Sequence, residues 1–164
     1  MTDTKRLYYE DVYIKEFSAK VVECRKEEKG FQVILDQSAF YPEGGGQPSD
    51  LGILGDTAVT DVQEKNGELI HYVKSELEPG TEVIGKIDWQ RRFDLMQQHS
   101  GEHIVSGLVH EAYGYNNVGF HMSSDVITID FSGVLDEKQL AEIEEKTNRN
   151  IWEDNPVEIF YPDK

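Results

Sequence analysis

A single cysteine, Cys24, leaves no partner for an intramolecular disulfide and fits a reducing compartment. No apolar run approaches the ~20 residues of a membrane span. Met1, Thr2, Asp3, Thr4, Lys5 and Arg6 open the chain with no apolar stretch of the signal-peptide kind behind them. The expectation is a cytoplasmic protein that does not use a membrane. Basic side chains are also scarce. Against 32 Asp and Glu there are 16 Lys and Arg, for a net charge of −16. The acidic excess is shared by residues 1–88 and 89–164, and neither half carries a basic arm. General attraction to a polyanion rests on neutralising phosphates, so this chain lacks it; a few local contacts are all it can offer nucleic acid.

What is present suits a folded enzyme-sized domain. The 164 residues are 38% hydrophobic and 10% aromatic, too apolar for a disordered acidic segment. A chain of this length buries roughly 68–70% of its unfolded surface, enough for a core without staples. Internal repeats and low-complexity stretches are missing.

The first half reads as β-structure. Ser18–Cys24 and Phe31–Gln37 are strand-like runs on either side of a charged turn that ends at Gly30. Thr57–Glu64 and Glu68–Lys74 flank Asn66-Gly67, the strongest short hairpin signal. Pro79-Gly80 turns into a last run, Thr81–Asp88. Five or six short strands predict a small barrel or sandwich. At residue 88 the period changes. Asp88 is placed to cap a helix reaching about Gly114, and Asp136 with Gln139 forms a capping box for a second helix. Leu140, Ile143, Thr147 and Ile151 share one face of that helix, and Asn155-Pro156 stops it. Val118–Met122 and Asp125–Phe131 read as strands between the helices, and Val157–Tyr161 as a final strand. The fold class predicted is α+β: a β-barrel domain over residues 1–88, then an α-β-β-α-β domain over 89–164.

Chemistry is concentrated in His99-Ser100-Gly101-Glu102-His103. Spacing i, i+4 sets both imidazoles on one helix face. Phe93, Ile104, Val105, Leu108 and Val109 form an apolar stripe roughly opposite them. Two imidazoles so arranged suit one zinc ion, at ~2.0–2.1 Å from each nitrogen; two polar histidines on a half-buried helix is the plainer alternative. This is not the H-E-x-x-H protease motif, because Ser100 stands where that motif has its general base. His110 lies about 10 Å along the axis from His103, too far to share an ion, and reads as a surface residue. His121 opens a strand pair and is a candidate to face the histidine helix. Cys24, among Val21, Val22 and Arg25, reads as a small buried strand residue. Gly44, Gly45 and Gly46 expose backbone N–H groups in a loop restrained by Tyr41, Pro42, Gln47 and Pro48. No Lys-Ser/Thr follows, so it is not a P-loop.

Taken together, these residues resemble the editing module of alanyl-tRNA synthetase and its free-standing AlaX relatives. Residues 40–50, FYPEGGGQPSD, resemble that family's glycine-rich motif in an N-terminal β-barrel; His99 and His103 resemble its H-x3-H zinc pair; residues 119–131, GFHMSSDVITIDF, resemble the strand pair that follows. The resemblance implies the threonyl/alanyl-tRNA synthetase editing fold and hydrolysis of the ester of tRNA(Ala) mischarged with serine or glycine. Such editing answers a physical need, since a hydrophobic alanine pocket rejects an added hydroxyl by only ~10². By the same resemblance His99 and His103 are zinc ligands and catalytic, and Gly44–Gly46, Gln47 and His121 contact substrate. Glu102 departs from the smaller or neutral polar residue the family often carries there; its carboxylate is a candidate to act as a base, to support a ligand, or to block a threonine-like contact to the substrate. Arg91 and Arg92 are candidates to meet the phosphates of the acceptor end. The family completes its zinc site with a C-x3-H pair, and none follows here before Lys164. The expectation is therefore an incomplete zinc site and a second domain incomplete at its C-terminus. Two alternatives accompany this reading: the editing segment of a full synthetase, and an inert module that binds tRNA or a synthetase.

Overall fold

The computed structural model describes residues 4–123, 126–158 and 160. Two compact units divide the chain, Met1–Met96 with Met122–Val126, and Gln97–His121 with Ile127–Lys164. The division falls inside the long helix, eight residues beyond the expected boundary at 88.

In the first unit, β1 (Lys5–Arg6) and a 3-10 turn (Leu7–Tyr9) precede β2 (Glu16–Glu27), β3 (Gly30–Leu35), β4 (Gln37–Ser38), β5 (Gly52–Leu54), β6 (Thr57–Lys65), β7 (Glu68–Val73) and β8 (Glu82–Ile87). Strict alternation explains which way these strands face. Phe17, Ala19 and Val21 of β2 are buried between exposed Glu16, Ser18 and Lys20, and Val83, Gly85 and Ile87 of β8 between Glu82, Ile84 and Lys86. A sheet with one apolar face buries it by closing on itself. The strands pair antiparallel in the ring β2-β3-β7-β6-β5-β8. Register shifts between Val21 and Glu23 in β2, and between Val59 and Asp61 in β6, supply the bend that closure needs. Between β6 and β7, Asn66 and Gly67 take φ of 53° and 82°, the left-handed pair of a two-residue hairpin. β1 pairs parallel with β4, a contact that no local pattern announces.

Phe40, fully buried, packs edge-on to Phe17 at 5.6 Å and to His71 at 5.8 Å between ring centroids. Each such side chain contributes about 1.5–3 kcal/mol by leaving water. His71 is a polar residue within this core, with no exposed surface. Val33 O lies 3.1 Å from Nδ1 and accepts its proton; Nε2 then accepts from the Ser38 hydroxyl at 2.8 Å, and Ser38 Oγ accepts from Phe40 N–H at 3.1 Å. Burial pushes this imidazole down to about 4, against the weaker pull of the Val33 carbonyl, and keeps it neutral. Cys24 is a half-buried residue of β2 packed against the same core, as expected.

The remaining elements are α1 (Trp89–Tyr113), β9 (Asn117–Met122), β10 (Ile127–Phe131) and α2 (Glu137–Trp152). The α+β class therefore holds. Asp136 caps α2 as expected, accepting from Gln139 N–H while the Gln139 side chain accepts from Asp136 N–H. Its apolar face is narrower than its sequence pattern. Ile143 and Thr147 are buried, but Leu140 and Ile151 are each 52% exposed, because only the middle of the stripe is covered. Residues 155–158 and 160 are not in a strand, contrary to the expected strand at Val157–Tyr161; residues 159 and 161 of that segment lie outside the described residues, as does Asp125 of the other expected run. Among the described residues no helix is long and apolar enough to cross a membrane.

Candidate active site

Asp88 starts α1 as its position suggested, accepting from Arg91 N–H at 3.3 Å. Gly114, at φ 71°, ends it by donating its N–H to His110 O at 2.8 Å. Within this helix His99 and His103 lie one turn apart with their rings nearly parallel, 12° between planes and 5.0 Å between centroids. Phe120 of β9 lies against His99 at 5.3 Å. His99 is half-buried, whereas the side chain of His103 is 74% exposed.

Glu102 is the anchored member. Its side chain is only 4% exposed, although it sits between the histidines in sequence. The Ser106 hydroxyl and the Asn117 amide, the latter at 2.7 Å, both donate to Oε1. Its other oxygen, Oε2, lies 3.5 Å from His103 Nδ1. Neither Ser106 nor Asn117 was a sequence candidate. The i, i+4 spacing of Glu102 and Ser106 was a usable signal; Asn117, 15 residues away on another element, gave none.

Ligand atoms of His99, Glu102 and His103 all lie within 4.8 Å of one another. Two imidazole nitrogens with one carboxylate oxygen are a donor set that zinc accepts. Burial first, then the neighbouring His103, lowers the pKa of His99 below the usual imidazole value, against the opposing pull of Glu102. A lower pKa favours the neutral ring, the form in which an imidazole ligates a metal. The residues present fit a metal, with His99 and His103 as holders and Glu102 beside them.

The other sequence candidates fall elsewhere. His121 is exposed, and its neighbour Phe120 is the residue that meets His99; alternation along β9 sends His121 to the opposite face. His110 is exposed, as expected. The apolar stripe of α1 is not continuous. Val109 is fully buried, but Phe93 is 37% exposed and Leu95 takes its place, since the two ends of α1 belong to different units.

In the first unit the triple glycine forms a tight turn. Gly44 and Gln47 exchange N–H···O bonds at 3.1 and 3.0 Å, and Gly45 and Gly46 between them adopt φ of 58° and 80°. Side chains strain at both positions. The turn is held at its base: Glu43 N–H donates to Val62 O, and the Gln63 amide donates to Glu43 at 2.6 Å. Arg92 has no surface to offer a phosphate. It is 2% exposed, its guanidinium forms a bidentate pair with buried Asp50, and it donates to Ala39 O at 2.7 Å and to Val12 O at 3.3 Å. Asp50 in turn accepts from Tyr41 N–H, so the pair pins the loop that carries the turn. Arg91 is half-buried and donates to Ser49 O at 2.6 Å.

The model of the class II (A) tRNA synthetases matches residues 2–91, more than half of the chain. The alanyl-tRNA editing protein AlaX-L of Pyrococcus horikoshii is 38% identical over 98% of this chain and 41% of its own length. The chain belongs to the alanyl-tRNA synthetase editing (AlaX) family. Another relative, the alanyl-tRNA editing protein Aarsd1 of Bos taurus, is 36% identical over 91% of this chain and 37% of its own length. An alanine–tRNA ligase of Pyrobaculum neutrophilum is 37% identical over 94% of the chain but only 18% of its own length. The chain thus spans about two fifths of the editing proteins it matches. The family model stops at residue 91, before the histidine helix has made its second turn; the pairwise matches to AlaX-L and the ligase run through it.

Proposed function

We propose that this chain carries the hydrolytic centre that edits tRNA(Ala) mischarged with serine or glycine, and that it does so in the cytoplasm. The observation that carries the reading is the pair of stacked imidazoles, His99 and His103, with the buried Glu102 carboxylate at their side, in a member of the editing family. The fold we assign to residues 89–164 is the editing type shared by threonyl- and alanyl-tRNA synthetases.

Zinc bound by His99 and His103 would polarise the ester carbonyl or lower the pKa of a bound water. The protein's own residues supply the rest. Its surroundings lower the pKa of His99, which favours the neutral form that can ligate a metal. Glu102 fixes the orientation of the more exposed His103. The turn of Gly45 and Gly46, exposed in the first unit, is the part of that unit we assign to substrate contact. Of the two arginines only Arg91 keeps a role at the phosphates. With net charge −16, binding depends on such local contacts.

Deacylation of Ser-tRNA(Ala), Gly-tRNA(Ala) and Ala-tRNA(Ala) tests the reading. The full protein should hydrolyse the first two and spare the third, and His99→Ala or His103→Ala should lower the rate by two or more orders of magnitude. Failure to hydrolyse any of them, or full activity in both variants, sinks the assignment and leaves a binding module.

A further inference from the structure

We propose that Glu102 is a positioning residue that sets the tautomer of His103, and that Ser106 and Asn117 hold it in that task. The proposal rests on the editing reading only for its purpose; its geometry stands independently.

The hydrogen bonds around Glu102 have one consistent solution. Asn117 Oδ1 accepts from Gly119 N–H at 3.0 Å, which turns the Asn117 NH2 group toward Glu102. That NH2 donates to Glu102 Oε1 at 2.7 Å and also reaches Ser106 Oγ at 3.2 Å. Ser106 therefore spends its own proton on Oε1. One carboxylate oxygen thus receives two donors from two elements, α1 and β9, and the side chain is pinned. Swinging out to become a third metal ligand would break both of these hydrogen bonds.

What remains is Oε2, an oxygen that accepts only, facing His103 Nδ1 at 3.5 Å. An acceptor there favours the proton on Nδ1 and leaves the lone pair on Nε2. His103 is otherwise unconstrained by burial, since its side chain is 74% exposed. Without Glu102, its stack against His99 would be its main restraint, and more of the rotamer cost would fall at the moment a ligand arrives. The network makes His103 a ready ligand before any metal or substrate binds.

Glu102→Gln gives the decisive variant. Asn117 and Ser106 still require an acceptor at the first oxygen, so the new NH2 group falls where Oε2 was and donates to His103 Nδ1. The tautomer should invert, with the proton moving to Nε2. Imidazole 15N shifts of His103 in the metal-free protein, at one alkaline pH, read this directly. In the unaltered protein Nδ1 should carry the proton; in Glu102→Gln, Nε2 should. Ser106→Thr keeps the hydroxyl and should preserve the unaltered pattern, and it controls for misfolding. A second readout is the affinity for zinc alone, by competition with a chelating dye. Glu102→Gln and Asn117→Ala should each weaken it roughly 10–100-fold. An unchanged His103 tautomer in Glu102→Gln overturns the proposal. So does tighter zinc binding in Asn117→Ala, because a freed carboxylate that gains affinity is a ligand and not a positioner. Neither readout uses tRNA, so a protein that fails to deacylate leaves this result standing, and the reverse.

Discussion

The two units use buried charge and polarity in opposite ways. In the barrel, Asp50 and Arg92 satisfy each other and the backbone around them, and His71 is closed off between Val33 and Ser38. Nothing in either group is left to act on a ligand. In the second unit Glu102 is nearly as buried, but one of its oxygens remains directed at an exposed histidine. The first arrangement locks a fold; the second sets a carboxylate oxygen behind an exposed imidazole. Burial of an ionisable side chain is therefore not in itself a sign of chemistry. The sign is burial with one valence still pointing outward.

Removing one partner of the barrel pair is the largest blow expected. Arg92→Ala leaves the Asp50 carboxylate buried and uncompensated, and urea unfolding should show a loss of about 3–5 kcal/mol. Asp50→Ala combined with Arg92→Ala should cost less than the two single changes added, because the charges are coupled. An Arg92→Ala protein with an unchanged midpoint would erase the distinction drawn between the units.

Next in size is a pH effect. His71 titrates near 6.5 when unfolded and at about 4 when folded, so the unfolded chain takes up its proton first as pH falls. Stability held above pH 6.5 should decline between 6.5 and 4, then level off, by on the order of 3 kcal/mol. Denaturant midpoints across that window, compared with those of His71→Gln, isolate the contribution. A slope equally steep in both proteins would assign it to other groups.

The smallest effect sharpens the contrast from the other side. His103→Ala removes an exposed side chain and should change stability by less than about 0.5 kcal/mol while abolishing deacylation. A thermal melt paired with the deacylation assay checks both halves. A large loss of stability would make His103 a fold residue.

How legible these features were in the sequence followed their reach along the chain. Asn66-Gly67, the Asp136–Gln139 box, the Asp88 cap and Gly114 act within four residues, and each appeared where its chemistry pointed. The histidine pair was readable for the same reason, being one helical turn apart. Arg92 was misplaced because its partners, Asp50 and Ala39, lie 42 and 53 residues away, and beside Arg91 it looked like half of a basic pair. His71 drew no notice, since an alternating strand reads alike whether its histidine faces solvent or core. His121 was off by one residue, and in a strand one residue is the other face.

Because the six strands close into a ring, each strand of the barrel has a hydrogen-bonded neighbour on both sides over part of its length. Closure shortens the ladder open to a second chain, which limits the commonest template for intermolecular β-aggregation. Among the described residues the β9–β10 ribbon is two strands wide and has no third strand on either edge. Amide exchange should follow the same division, with barrel protons released only in rare global openings and those of the ribbon in frequent local ones. Conditions that loosen the ribbon while sparing the barrel would therefore be the ones in which this protein first sticks to itself, and the mutual repulsion of chains each carrying −16 would be what holds that off at low salt.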